Sequence, residues 1–315
     1  MIELTIADML FGQVLCVHPD KLATVLSVLS RRLDIQAADG IQIDRSLAYE
    51  AGVATAMGRQ PAPVQSWQDV GNGVALLPIS GSLVARTRGL DAVSGLQSYR
   101  QIGADFAALM ADDSVQHIIL QIDSPGGSVN TLPDMVDQIA AARGVKPVTA
   151  LVDDEAYSAA YWIASAAEEV VISRTGGVGS IGAIAVHVDR SAANEREGIK
   201  VTAIRSGARK AMLNPNEPLT EDSQAWLEAR VQEAATMFID GVASLRGLSA
   251  SDVRALEAGT VHGQQAIDIG LADRIQPAGE AIRQIRDRYA PKPVASATSP
   301  GRIGRAARAM QMRAG

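Results

Sequence analysis

The sequence has one cysteine and few aromatic residues. A single thiol, Cys16, excludes an internal disulfide and a metal cluster built on paired cysteines, and it indicates a reducing compartment, where we expect it to be an inert core residue. Aromatic residues make up 3% of the 315 residues, whereas apolar residues make up 47%. The core must therefore consist mainly of Ala, Val, Ile and Leu. This composition favours helices packed closely on a sheet over an aromatic-rich β-sandwich.

The sequence also lacks a long hydrophobic run. No stretch approaches the roughly 18 to 20 apolar residues of a membrane span, and the first residues, with Glu3 and Asp8, do not form a basic and then apolar signal pattern. We therefore expect a soluble, cytoplasmic protein. The net charge is -6, although residues 290–315 carry basic side chains and no acidic ones. An acidic body argues against specific nucleic-acid binding, while the basic tail could touch an acidic partner.

The order of apolar and polar segments divides the chain into three parts. Residues 1–66 form an N-terminal extension with a helix starting at Pro19 and a proline-rich linker, and no chemistry is visible there. Residues 67–275 alternate strands, loops and helices, which predicts an α/β domain with a mainly parallel sheet and functional loops at the carboxyl ends of its strands. Residues 276–315 are predicted to be a helix followed by a flexible basic tail. The predicted strands include 74–81, 115–122, 148–152, 169–172, 183–188 and 201–204, and a long amphipathic helix is predicted over 220–246.

Ser158 lies where the predicted strand 148–152 gives way, through a short polar loop, to a helix of small residues. Serine is a common helix N-cap, so capping is the ordinary interpretation. The alternative is a nucleophile, because the free N–H groups and the dipole at a helix start favour a developing negative charge.

Two glycine-containing loops follow neighbouring predicted strands. The loop 123–128 contains Gly126, whose N–H could form an oxyanion hole with that of Ala159, although a plain Pro-Gly turn is the alternative. The loop 176–182 contains a G-x-G-x-x-G pattern. It leads into a predicted strand instead of a helix, which argues against dinucleotide binding and suggests that the loop brings the Ser180 hydroxyl near the site.

A third loop, 206–215, carries Lys210, one of five lysines among the 29 basic residues. In an apolar setting this lysine could lose its solvation, become neutral and act as a general base; an ordinary surface charge is the alternative. A histidine-based triad finds no support in the sequence, and no histidines have metal-ligand spacing. We predict no metal and no cofactor. The four histidines are His18, His117, His187 and His262.

Taken together, four segments resemble the signal peptide peptidase A-like serine peptidases. They are Ser-Pro-Gly-Gly at 124–127, Tyr-Ser-Ala-Ala-Tyr-Trp-Ile-Ala at 157–164, Val-Gly-Ser-Ile-Gly at 178–182 and Ser-Gly-Ala-Arg-Lys at 206–210. The stretch 79–88, Ile-Ser-Gly-Ser-Leu-Val-Ala-Arg-Thr-Arg, is most similar to the capsid-assembly (prohead) proteases of lambda-type tailed phages. The resemblance covers residues 73–275.

The resemblance implies a Clp/crotonase-like α/β fold and a Ser-Lys dyad. Ser158 would be the nucleophile, Lys210 the base, Ser180 the hydroxyl that orients the lysine, and Gly126 and Ala159 the oxyanion donors. It also implies a homo-oligomer, without a membrane partner or specific nucleic-acid binding, which acts in the host cytoplasm within the procapsid. Its substrates would be scaffold, portal or capsid proteins and the chain itself. Ser-Ala-Ala stands here where the cellular peptidases have Ser-Gly-Gly, which puts the width of the substrate groove in question.

Three alternatives remain open on the sequence. A cytosolic peptidase that degrades signal peptides would share the chemistry. An inactive structural subunit of the procapsid would not need it. A crotonase-type acyl-CoA enzyme would use the Gly126 loop for a thioester and would leave Lys210 without a role.

Overall fold

Strands that run parallel to one another form the centre of the molecule. The computed structural model describes residues 13–18, 66–87 and 96–291. The strands of these residues are β1 (Val14–Val17), β2 (Gln68–Gly71), β3 (Val74–Ser80), β4 (Ser82–Val84), β5 (Leu96–Ser98), β6 (His117–Ser124), β7 (Gly126–Ser128), β8 (Val148–Tyr157), β9 (Glu169–Ile172), β10 (Gly177–Gly179), β11 (Ile184–Ala185), β12 (Thr260–His262) and β13 (Arg274–Ile275). The helices are α1 (Tyr99–Ala111), α2 (Leu132–Ala140), α3 (Ala159–Ser165), α4 (Ser191–Arg196), α5 (Glu221–Arg246), α6 (Ala250–Ala255), α7 (Gly263–Asp268) and α8 (Ala278–Arg288).

The large sheet has the order β12-β10-β8-β6-β3-β2, with β9 beside β8 and β13 beside β9. Its inner pairs are parallel, and β2 and β12 add antiparallel edges. β8 is long enough to pair with β9 through residues 149–152 and with β10 through residues 155–157. The predicted α/β class with a mainly parallel sheet is confirmed.

Both faces of this sheet are covered, which explains the almost continuous apolar runs of its strands. Alternate residues of β3 belong to different cores: Ala75, Leu77 and Ile79 pack in the larger one, with α1, α2 and α3. Val74 and Leu76 face the other side, where α8 covers the sheet. A strand with a side-chain period of two can supply both cores only if each face meets a helix layer.

A second, smaller sheet lies at the carboxyl end of β6 and has the order β11-β1-β7-β4-β5. It starts there because β7 follows β6 after a single residue, Pro125. β4 runs parallel to both β5 and β7, whereas β1 runs antiparallel to β7 and to β11. β1 is therefore an inner strand of this sheet, between β11 and β7.

Arg143 fixes the end of α3. Its guanidinium donates hydrogen bonds to the carbonyls of Ser165, Ala166 and Ala167 and to that of Leu245 near the end of α5, at 2.7 to 3.1 Å. The last carbonyls of a helix have no partner within it. This half-buried cation thus satisfies the carbonyls at and just after the end of α3 and ties α3 to the long helix.

Two predicted strands differ from the structure. Residues 183–188 contribute only the two-residue β11, and residues 201–204 form no strand. Ile204 is 98% exposed, and among residues 13–18, 66–87 and 96–291 no strand pairs with this segment. The apolar residues of 201–204 are not sufficient to form a strand, because a strand also needs a partner for its backbone N–H and C=O groups.

Other predictions on segment boundaries have mixed outcomes. The long helix is confirmed as α5, and the predicted C-terminal helix is α8, which packs on the sheet. The helix from Pro19, the proline-rich linker and the basic tail beyond residue 291 lie outside the described residues. The division into 1–66, 67–275 and 276–315 stays a prediction. In the described part of the chain, no helix combines the length and apolar character needed to cross a bilayer.

The buried His117 predicts how stability depends on pH. Its ring lies 3.0 Å from the Thr149 hydroxyl and 3.2 Å from that of Tyr289, and burial lowers its pKa from an ordinary 6.5 to about 4. Between these values the unfolded chain binds a proton that the folded chain does not, so stability falls as the pH decreases from about 6.5 to about 4. Urea unfolding across this range should show a steeper loss for the wild type than for His117→Gln. An equal loss of stability with falling pH in the two proteins would contradict the lowered pKa of His117.

Candidate active site

Ser158 is the single residue between β8 and α3. Its N–H donates to the Gly179 carbonyl at 2.8 Å, and its carbonyl accepts from the Trp162 N–H at 3.0 Å. These bonds hold the residue at φ 55° and ψ -120°, a left-handed conformation that costs energy for any residue with a Cβ. Its side chain makes no capping hydrogen bond to α3. Ser158 therefore occupies the N-cap position of α3 without capping it through its side chain, and a strained backbone holds its hydroxyl beside Cys16.

Three neighbouring strands place the predicted loops around Ser158. Because β10, β8 and β6 are adjacent and parallel, their carboxyl ends meet at the same edge of the sheet. Ser180 follows β10 with φ 55° and is 4% exposed, and its N–H donates to the Gly259 carbonyl at 2.9 Å. On the other side, a Cβ added to Gly126 would lie 3.0 Å from the Ser158 Cβ. The structure thus brings Ser158, Ser180 and Gly126 together.

The two predicted oxyanion donors differ in their hydrogen bonding. Ala159 is the first residue of α3, so its N–H has no partner within the helix. The Gly126 N–H donates to the Ser124 Oγ at 3.1 Å, and this hydroxyl donates to the Gly81 carbonyl at 2.7 Å. The next residue, Gly127, has no room for a side chain, since an added Cβ would collide with the Leu83 backbone of β4.

Lys210 is not brought to Ser158 within this chain. It is exposed, on the 3-10 turn Ala208–Ala211 of the long connection between α4 and α5. Its ammonium has no hydrogen-bond or ion-pair partner among the residues that the structure describes. It lines an open cavity of about 610 Å³ together with Val201, Met212 and Trp226, and Ser158 does not border this cavity.

Residues 14–17 contribute to the site, which their sequence did not predict. This short apolar segment was expected to carry no chemistry, yet as β1 it places Cys16 directly beside Ser158. Burial raises the pKa of the Cys16 thiol to about 12, and a hydrogen bond with the Ser158 side chain lowers it only in part. Cys16 is 0% exposed and Ser158 is 1% exposed. Four residues without periodicity give no signal from which this contact could be predicted.

Comparison with known proteins finds two families. The model of peptidase family S49 matches residues 140–290, and the model of the Clp proteases matches residues 90–175. The first match contains Ser158, Ser180 and Lys210, and the second contains Gly126 and Ser158. These matches agree with the expected Clp/crotonase-like fold and with a signal peptide peptidase A-like family.

Curated relatives include two phage proteins. The chain is 37% identical to the capsid assembly protease C of Escherichia phage lambda over 90% of its own length and 65% of that protein. It is 39% identical to the head-tail preconnector protein GP5 of Enterobacteria phage P21 over 71% of its length and 44% of that protein. The chain thus spans less than two thirds of either relative.

More distant similarities reach cellular proteins. A signal peptide peptidase SppA of Enterococcus faecium, described as putative, is 25% identical over 56% of this chain and 52% of that protein. Among solved structures, an enoyl-CoA hydratase/isomerase family member aligns with a TM-score of 0.42 and 16% identity over 72% of this chain and 78% of that one. This structural likeness is too low to support an argument.

The strain at Ser158 predicts an unusual order of stability. Ser158→Gly should be more stable than Ser158→Ala by about 1 kcal/mol, because relief of roughly 1–3 kcal/mol of strain exceeds the entropic cost of glycine. Both variants lack the hydroxyl, so their difference in free energy of unfolding, measured in urea, isolates the backbone term. The matched control is Ser165, a helical residue of α3, where the alanine variant should be the more stable one. The same order at both positions would contradict the strain.

Proposed function

Because residues 140–290 match the model of peptidase family S49, we propose that the chain is a serine endopeptidase of phage head assembly that uses a Ser158–Lys210 dyad. The observation that carries this proposal is the conformation of Ser158. A serine is held under strain at a strand-to-helix turn, with its hydroxyl free of capping bonds and beside a loop of glycines. A purely structural serine would gain nothing from this arrangement.

In the proposed reaction, neutral Lys210 accepts the proton of the Ser158 hydroxyl, and the oxygen attacks a peptide carbonyl. The positive end of α3 and the N–H groups of Ala159 and Gly126 stabilise the oxyanion. The proton passes to the leaving amine, and water then hydrolyses the acyl-enzyme. Ser180, whose backbone is fixed beside Gly179, orients the lysine.

The exposed position of Lys210 points to a dyad that is completed between copies of the chain. The connection that carries it presents apolar side chains to solvent: Ile199 is 51% exposed, Val201 45% and Ile204 98%. Two hydrogen bonds fix the base of this connection. The Arg190 N–H donates to the Pro215 carbonyl at 2.7 Å, and the Asn194 side-chain amide donates to the Asn216 Oδ1 at 2.9 Å. A firmly anchored loop with an apolar outer surface suits contact with a second copy, which would also remove water from the lysine.

The proposed substrates are scaffold, portal or capsid proteins and the chain itself, and the proposed place of action is the host cytoplasm within the procapsid. The similarity to a capsid assembly protease and to a head-tail preconnector protein supports this role. A cellular signal-peptide-degrading role shares the chemistry, but the phage proteins are matched at higher identity than the Enterococcus faecium protein.

We predict that Ser158→Ala and Lys210→Ala each reduce cleavage of co-expressed capsid proteins below detection. Loss of the nucleophile or of its base removes the same chemical step. The matched control is Lys200→Ala, an exposed lysine of the same connection, which should cleave like the wild type. Mass spectrometry of the capsid proteins gives the readout, with labelling of Ser158 by a fluorophosphonate. Full activity of a folded Lys210→Ala protein would refute the dyad, and failure to label Ser158 in assembled protein would favour a structural subunit.

We also predict that Ser158→Ala and Lys210→Ala complement each other when they are mixed. If the dyad forms between copies, a mixed oligomer contains sites with one intact serine and one intact lysine, so a substantial share of wild-type activity returns. Each variant alone, refolded in the same way, serves as the control. If both residues must come from one chain, no mixture regains activity.

A further inference from the structure

We propose that β1 occupies the peptide-binding cleft of its own chain in the manner of a substrate, with Cys16 as the residue whose carbonyl faces Ser158. This inference rests on the proposed function for the meaning of the cleft. The occupancy itself rests on backbone pairing, burial and side-chain contacts.

β1 fills the space between two strands, β7 and β11, that flank the proposed nucleophile. β7 belongs to the glycine loop after β6, and β11 follows the loop of Ser180. β1 pairs antiparallel with both of them. Without β1, β7 and β11 would each present an unpaired edge beside Ser158, which is the geometry that accepts an extended peptide by strand addition.

The register of β1 against β7 decides which carbonyl of β1 accepts from Gly127. The His18 N–H donates to the Pro125 carbonyl at 2.9 Å, and the Val129 N–H donates to the Val14 carbonyl at 3.4 Å. Hydrogen-bonded pairs alternate along an antiparallel ladder, so Cys16 and Gly127 form the pair between these two. The Cys16 carbonyl therefore accepts from the Gly127 N–H.

The Cys16 carbonyl also lies beside Ser158, the proposed nucleophile. The position of a Cβ added to Gly126 would collide with the Cys16 carbonyl oxygen, and it lies 3.0 Å from the Ser158 Cβ. Ala159, whose N–H has no partner within α3, directly follows Ser158. The Cys16–Val17 peptide bond is thus the bond presented to Ser158, with Gly127 as a donor to its carbonyl.

The side chains of the segment occupy separate subsites. Cys16 is fully buried next to Ser158 and Tyr99, and Leu15 is 3% exposed on the opposite face of the strand. After the presented bond, the His18 ring packs against that of Tyr157 with centroids 4.9 Å apart. The cleft therefore suits an extended peptide with a small residue before the cut, an apolar residue before that one, and a ring two positions after the cut.

Beyond Val14 the cleft continues as a cavity of about 270 Å³. Its walls are Val129 and Asn130 after β7 and the face of α5 that carries Trp226, Leu227 and Met237. A longer peptide can follow this path, since the cavity begins where the described part of β1 ends. In the single chain Lys210 lies elsewhere, so β1 is held without being cut and competes with any other peptide.

The single cysteine makes the occupancy measurable without catalysis. In the folded Ser158→Ala protein, N-ethylmaleimide should label Cys16 far more slowly than in urea, because the thiol reacts only when β1 leaves the cleft. The peptide Gln-Val-Leu-Ala-Val-His, which copies residues 13–18 without the thiol, should displace β1 and accelerate labelling in a saturable way. Since β1 competes at the high effective concentration of a tethered segment, the effect should be clearest in Leu15→Ala, which weakens docking and should itself raise the labelling rate about ten-fold or more.

The matched control is the same peptide with proline in place of its alanine, because proline cannot donate to the Gly127 carbonyl. Labelling of the folded protein as fast as in urea would overturn the occupancy. Equal effects of the two peptides in both backgrounds would overturn the assignment of the cleft and its register.

An activity measurement separates this inference from the proposed function. With Ser158 intact, Leu15→Ala should cleave added peptides faster than the wild type, and the copy of residues 13–18 should inhibit it. If neither protein cleaves any peptide, the proposed function fails, while the labelling result still decides whether β1 lies in the cleft.

Discussion

The left-handed backbone of Ser158 is the constraint on which the site depends. β8 fixes the residue from one side through its pairing with β10, and α3 fixes it from the other through the bond from Trp162. Trp162 stacks on Phe238 of α5 with centroids 4.7 Å apart, and Arg143 holds the far end of the helix. Strain at one residue persists only when its surroundings leave no alternative, and here both neighbours are anchored in the core.

The small residues of the chain serve the same constraint. Ala159, Ala160 and Ala164 of α3 are fully buried, so the helix lies close to the sheet. The glycines of the loop after β6 allow the backbones of β1 and β4 to approach on either side. The low aromatic content of the sequence is compatible with this close packing. The alanines after Ser158 belong to the core, so the Ser-Ala-Ala departure from the cellular pattern is compatible with the fold.

The sequence predicted the parts of the fold that depend on local periodicity. The parallel strands, α1 and α5 follow from apolar spacing, and the loops after β6, β8 and β10 converge because parallel strands end at a common edge. Contacts between distant segments were not predictable in this way. β1 has four residues and is held as a strand by β7 and β11, whereas the residues around Ile204 form no strand in the described part of the chain. Lys210 is exposed on its loop, and no local pattern in the sequence predicts that position.

The proposed nucleophile and the proposed base therefore differ strongly in exposure. Ser158 is buried beneath a strand of its own chain, and Lys210 is exposed on a loop that also exposes Ile199, Val201 and Ile204. If both proposals hold, the isolated chain is inactive for two reasons. β1 fills the cleft, and the dyad lacks the lysine of a second copy. Assembly would supply the lysine, whereas a competing peptide must displace β1. A protease that acts among many copies of its substrates would then depend on local concentration for both steps, because each is an association between chains.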